Sequence, residues 1–133
     1  MPTMTAAQKR RRDKIDYDAY LAACPTRSLL DRLGTKWAML VMNALGDGPK
    51  RHSELARRIA GVSQKMLTQT VRELERDGLV TRTVTASVPV RVDYELTALG
   101  TSLLPVTRAL KAWAEANMAE VLAARERYDA AGA

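Results

Sequence analysis

A chain of 133 residues, 47% of them hydrophobic, has room for one small domain plus an accessory helix and tails, and not for two full domains. Aromatic residues make up 5% and Phe is absent, so the core must come from Leu, Val, Ile, Met and Ala. Lys and Arg number 21 against 15 Asp and Glu, a formal charge of +6 that favours a polyanion, either nucleic acid or an anionic membrane surface.

No apolar run approaches the roughly 20 residues of a membrane span, and no secretory h-region follows the first basic residues. A single cysteine, Cys24, excludes an intrachain disulfide framework and points to a reducing, cytoplasmic setting. An enzyme is disfavoured. There is one histidine, His52, with no paired carboxylates at a plausible cleft position, no metal-ligand cluster and no Gly-rich phosphate loop, so no cofactor or metal is expected.

Residues 1–20 read as a basic N-terminal arm carrying Lys9, Arg10, Arg11, Arg12 and Lys14, turning helical near Ile15 to Leu21. It is either a solubilising tail or a phosphate or minor-groove contact. Cys24-Pro25 ends it, because proline disfavours helix in the residue before it and suits a first helical turn. A short helix then spans Thr26 to Leu33, with Leu29, Leu30 and Leu33 inward, and Gly34 stops it. The next, Lys36 to Leu45, carries a stripe of Trp37, Leu40, Val41 and Ala44 or Leu45. Gly46-Asp47-Gly48-Pro49 is a turn by composition. Ser53 is placed to cap a third short helix, Glu54 to Ala60, inward through Leu55 and Ile59, and Gly61-Val62 forms a second turn.

The stretch Ser63 to Gly78 organises the rest. Ser63 suits an N-cap and Gly78 a left-handed C-terminal residue. Leu67, Val71 and Leu74 recur at helical spacing. The opposite face gathers Gln64, Lys65, Thr68, Gln69 and Arg72 in its N-terminal half, and these side-chain types read base edges or hold phosphates. A helix, a tight Gly-containing turn and a second helix form a helix-turn-helix, whose second helix enters the major groove.

After Gly78 the period falls from about 3.6 to about 2. Leu79–Thr85 and Val90–Leu96 read as strands around the loop Ala86-Ser87-Val88-Pro89, making a winged helix with Arg82 and Arg91 available to phosphates. Thr97 can cap a long helix from Ala98 to Arg125, kinked at Pro105. Its surplus apolar surface suits a homodimer, with Leu110, Trp113 and Val121 at the centre, although folding back as a lid would also cover it. The expected layout is arm 1–20, winged helix-turn-helix domain 21–100, dimerisation helix 101–125 and tail 126–133. The fold class is mainly α (α+β), with a two-stranded wing.

In Cys24-Pro25, Gly34-Thr35-Lys36-Trp37, Gly48-Pro49, Gln64-Lys65-Met66-Leu67-Thr68 and Arg72-Glu73-Leu74-Glu75 before Asp77-Gly78-Leu79-Val80, the chain resembles the HxlR-type winged-helix regulators, a group similar in architecture to the MarR family. The likeness continues through Val88 to Thr97 and Leu99-Gly100, covering Cys24 to Trp113. It implies a dimeric regulator of transcription, read here as a repressor, that binds duplex DNA. Some members of that group sense electrophiles or oxidants through a cysteine placed like Cys24, and others have no known signal. His52 stands where the group usually carries Phe or Tyr, and Val90 replaces a common wing proline. Two alternatives stay open: control by a non-covalent small ligand, and a winged helix used for protein contact. RNA binding is disfavoured by the shortage of stacking aromatics.

Overall fold

The computed structural model describes residues 3–132, with the side chains of residues 19–23 outside that description. The chain divides into two compact units, Met1–Lys36 and Trp37–Ala133. Among the described residues there are six helices and three strands.

The first unit holds α1, Ala6–Ala23, and α2, Pro25–Leu33, which pack on each other. Most of the expected arm, from Ala6 on, thus lies in an 18-residue helix that runs on to Ala23. Thr5 and Gln8 cap its start reciprocally, the Thr5 N–H donating to Gln8 Oε1 and the Gln8 N–H to Thr5 Oγ1. Lys9/Asp13, Arg12/Asp16 and Lys14/Asp18 recur at i,i+4, a spacing that supports helix. Composition suggests an arm because this helix has no apolar stripe to announce it. Pro25 opens α2 and Cys24 is its N-cap residue. Leu29 and Leu30, expected inward, are exposed, and only Leu33 is buried.

The second unit begins in α3, Lys36–Leu45. Its buried face is Ala38, Val41, Met42, Ala44 and Leu45, while Leu40, expected inside, is 44% exposed. After the turn comes β1, Lys50–Arg51, a strand of two residues that sequence periodicity did not reveal. Helix α4 is His52–Arg58, beginning before the expected Ser53 cap. Its N-cap is Arg51, whose backbone N–H donates to Glu54 Oε1 at 3.1 Å. An arginine side chain has no acceptor to give back, so the carboxylate alone closes this end. Helix α5, Gln64–Arg76, follows the turn at Gly61, whose φ is +85°.

Strands β2, Val80–Thr85, and β3, Arg91–Leu96, form the wing hairpin, and β1 pairs antiparallel with the outer side of β3. The sheet order is β1-β3-β2. Helix α6 runs Ala98–Ala130 as one element through Pro105, taking in residues 126–130 of the expected tail. Its buried residues, Gly100, Leu104 and Thr107, all lie in its first third.

The core joins Val41 and Met42 of α3, Leu55 of α4, Leu67, Val71 and Leu74 of α5, and Val80 of β2, each at most 2% exposed. Full burial of each such side chain contributes about 1.5–3 kcal/mol. Thr107 is buried too, and its hydroxyl donates to Asn43 Oδ1 at 2.9 Å, so α3 and α6 meet through a satisfied polar pair.

Candidate nucleic-acid interface

Local chemistry fixes both ends of α5. The Ser63 hydroxyl accepts the Met66 N–H at 3.0 Å. At the other end the Gly78 N–H reaches the Glu75 carbonyl and the Leu79 N–H the Leu74 carbonyl, both at 3.0 Å. With Gly78 at φ +76° this is a Schellman stop, closed by the buried pair Leu74 and Leu79.

At about 100° per residue, Leu67, Thr70, Val71 and Leu74 share one arc of α5 and are buried. Gln64, Lys65, Thr68, Gln69 and Arg72 occupy the opposite arc, and with Glu73 they line a shallow depression along the helix. Gln64, Lys65, Gln69 and Arg72 are exposed. Among the described residues, none of these four spends its side chain on a hydrogen bond or ion pair within the chain. That leaves polar, basic groups free to meet an outside partner at the N-terminal end of a helix presented by a helix-turn-helix.

Thr68 is different. It is half-buried, and its Oγ1 lies 3.0 Å from His52 Nε2 at the start of α4. His52 was not among the interface residues expected from sequence. No local signal could have found it, because the contact joins residues sixteen apart.

The wing arginines do not act as a pair. Residues directly opposed in the ladder share a face, and faces alternate along a strand. Arg82 opposes Tyr94, whereas Arg91 opposes Thr85 one alternation away, which puts the two arginines on opposite faces of the hairpin. Each also has a carboxylate partner: Arg82 Nε is 3.6 Å from Glu75 Oε2, and Arg91 Nε 2.9 Å from Asp93 Oδ2. The Asp93 hydrogen bond raises the Arg91 pKa above its ordinary value. Both guanidinium groups stay about half exposed, so the pairs are weak surface ones that a phosphate can displace.

On α6 the structure brings Leu99, Leu103, Val106, Leu110, Trp113 and Val121 into a single stripe about 33 Å long at 1.5 Å per residue. Leu99, Val106, Leu110 and Trp113 are each more than half exposed, and Val121 is half-buried. This stripe is distinct from the face of Gly100, Leu104 and Thr107 that meets the core.

In the first unit, Cys24 is free and half-buried. Its side chain makes no close capping hydrogen bond, yet the N–H groups of Arg27 and then Thr26, at the start of α2, hold the thiol below its ordinary pKa. Among the described residues no group of His, Cys, Asp and Glu has the makings of a metal site, and no helix is long and apolar enough to cross a membrane.

The HxlR-like helix-turn-helix family model matches residues 32–121, more than half the chain, and takes in the helix-turn-helix, the wing and α6 as far as Val121. The chain belongs to the HxlR-like helix-turn-helix family. The HxlR match begins after Cys24, so it says nothing of that thiol, and it ends beyond Trp113, where the sequence resemblance stopped. Among HxlR relatives, the uncharacterized HTH-type transcriptional regulator YtfH of Escherichia coli (strain K12) is 43% identical over 103 residues, 77% of this chain and 82% of its own. The solved transcriptional regulator ytfH from Salmonella typhimurium superposes with a TM-score of 0.72 at 42% identity, covering 79% of this chain and 94% of that one. The redox regulator HypR in its reduced form gives 0.71 at 38% identity, covering 75% of this chain and 99% of its own. This HxlR-like protein is therefore a winged helix-turn-helix transcriptional regulator, in a non-enzymatic class that binds DNA.

Proposed function

We propose that the protein represses transcription as a homodimer, reading duplex DNA with α5 and responding to modification of Cys24. The observation that carries the DNA-reading part is the arc of Gln64, Lys65, Gln69 and Arg72, exposed and, among the described residues, free of side-chain partners. Lys65 and Arg72 supply phosphate contacts, and Gln64, Thr68 and Gln69 face bases. Ser63 fixes the N-terminal turn that enters the groove. Arg82 or Arg91 adds a backbone contact from whichever face of the wing meets the duplex.

The exposed stripe through Leu110 and Trp113 supports pairing of α6 with a second copy. Large aromatic and leucine side chains are the usual anchors of such interfaces. Twofold pairing then sets two half-sites about 34–36 Å apart, one turn of DNA. The long α6 and the winged helix (residues 21–100 with 101–125) act as the two functional parts in this scheme.

Cys24 control is favoured by a helix-start thiol with a lowered pKa in a chain similar to a redox regulator. As the chain's single cysteine, it would pair with the partner subunit's cysteine or with a small thiol, or be alkylated by an electrophile. A non-covalent effector is the competing form of control.

The test is enrichment of duplexes from a random pool, followed by binding of the triple variant with Gln64, Lys65 and Gln69 all changed to Ala. Affinity for the enriched site should collapse. Unchanged affinity would remove α5 as the reader.

A further inference from the structure

Of Gln64, Lys65, Thr68, Gln69 and Arg72, among the described residues only Thr68 is tied to another element, through the 3.0 Å contact between its Oγ1 and His52 Nε2. A helical threonine ordinarily bonds the carbonyl four residues back. Thr70, two residues on, does this, its hydroxyl donating to the Met66 carbonyl at 2.7 Å. Thr68 makes no such bond, and instead spans from the reading helix to the first residue of α4.

We infer that His52 is a specificity-positioning residue, which fixes the hydrogen-bonding role that Thr68 offers to a base. A free threonine hydroxyl has one donor and two acceptor sites and can rotate, so it satisfies donor and acceptor edges alike and discriminates poorly. Engaging the imidazole occupies one of those roles and holds χ1. When Nε2 is the acceptor, the hydroxyl proton is committed to the ring and Thr68 offers only lone pairs, suited to the amino group of cytosine or adenine. When Nε2 carries the proton, Thr68 keeps its own proton for an acceptor such as guanine O6 or thymine O4. In either tautomer the choice made by His52 is transmitted to one base pair in each half-site. The inference rests on α5 as the reading helix.

The experiment starts from the duplexes that the wild-type protein enriches from a random pool. Relative affinities for every single-base variant of that site are then measured for wild type, His52→Phe, His52→Gln, Thr68→Val, the His52→Phe/Thr68→Val double variant and Gln69→Ala. His52→Phe keeps a planar ring without the hydrogen bond, whereas His52→Gln keeps an amide able to reach the hydroxyl. His52→Phe should flatten the preference at one base pair per half-site by about five- to tenfold, within the range for a single side-chain contact to a base. The salt dependence and melting temperature should stay at wild-type values. Thr68→Val should flatten the same base pair, the double variant should add nothing further, and His52→Gln should restore part of the preference. A uniform loss across all positions, or additive losses in the double variant, would show that His52 is only a packing residue and overturn the inference. So would an unaltered preference profile in His52→Phe while Gln69→Ala alters its own position. If Gln69→Ala and Thr68→Val both leave the profile untouched, α5 itself is not the reader and the inference falls with it.

Discussion

The Cα of Gly100 lies against the backbone carbonyl of Leu79, so closely that a Cβ on Gly100 would overlap that oxygen. Beside this contact the Thr97 hydroxyl donates to the Gly78 carbonyl at 2.6 Å and accepts the Gly100 N–H at 3.0 Å, while the Thr97 N–H donates to the Leu79 carbonyl. The stop of α5, the entry to β2 and the first turn of α6 are thereby locked together. A glycine is required here by space, since backbone cannot move aside as a side-chain tip can. The geometry holds α5, the proposed reading helix, at a fixed attitude to the helix proposed for dimerisation.

Gly100→Ala should therefore destabilise the fold, although alanine is the better helix former. Forcing backbone apart costs about 1–3 kcal/mol, which outweighs the propensity gain of about 1 kcal/mol toward the upper end of that range. Thermal unfolding should show a lowered melting temperature. An unchanged or raised one would mean the junction opens freely.

Lys65 and the two glutamines should separate by phenotype. Lys65→Ala should weaken binding to all duplexes and lower the salt slope by about one phosphate. Gln64→Ala or Gln69→Ala should leave the slope alone and relax one base preference by about 1–3 kcal/mol where the contact is bidentate. Affinity titrations at several salt concentrations, on specific and random duplex, distinguish the two behaviours.

Trp113→Asp should leave the helical content of each chain intact, because Trp113 is 55% exposed in the single chain. It should abolish the dimer, since pairing would bury an unpaired charge. Sedimentation reads the outcome, and an unaltered dimer would move the interface elsewhere.

Cys24 should be alkylated by iodoacetamide with a midpoint below that of a free cysteine. The sign follows from the shift: a lowered thiol pKa populates the reactive thiolate at lower pH. Wild type, and not Cys24→Ser, should then lose operator binding on treatment with diamide or hypochlorite. Equal responses of the two proteins would leave a non-covalent ligand as the signal.

The long amphipathic segments were legible because their cores are local patterns. Leu67, Val71 and Leu74 at helical spacing, Ser63 and Gly78 at the ends, and alternation in the wing specify α5 and the hairpin without reference to anything distant. The polar arc of α5 was readable for the same reason.

Contacts between elements were not. β1 is two residues long and exists because Lys50 and Arg51 find Tyr94 and Asp93 on β3, a pairing that no local pattern announces. The opposite facing of Arg82 and Arg91 depends on hairpin register, which a strand's own alternation leaves open. Leu29, Leu30 and Leu40 are apolar residues at helical spacing, and the sequence alone could not tell a face that meets the core from one left exposed. Nor could it show that His52 holds Thr68, or that Gly100 has no room for a side chain against Leu79. Local periodicity and capping determined that α5 is a helix and that the wing is a hairpin, but not α1 or β1. The three-dimensional packing decided which of their side chains are free to act, because freedom depends on what neighbour, distant in sequence, already occupies a hydrogen-bonding group or a space.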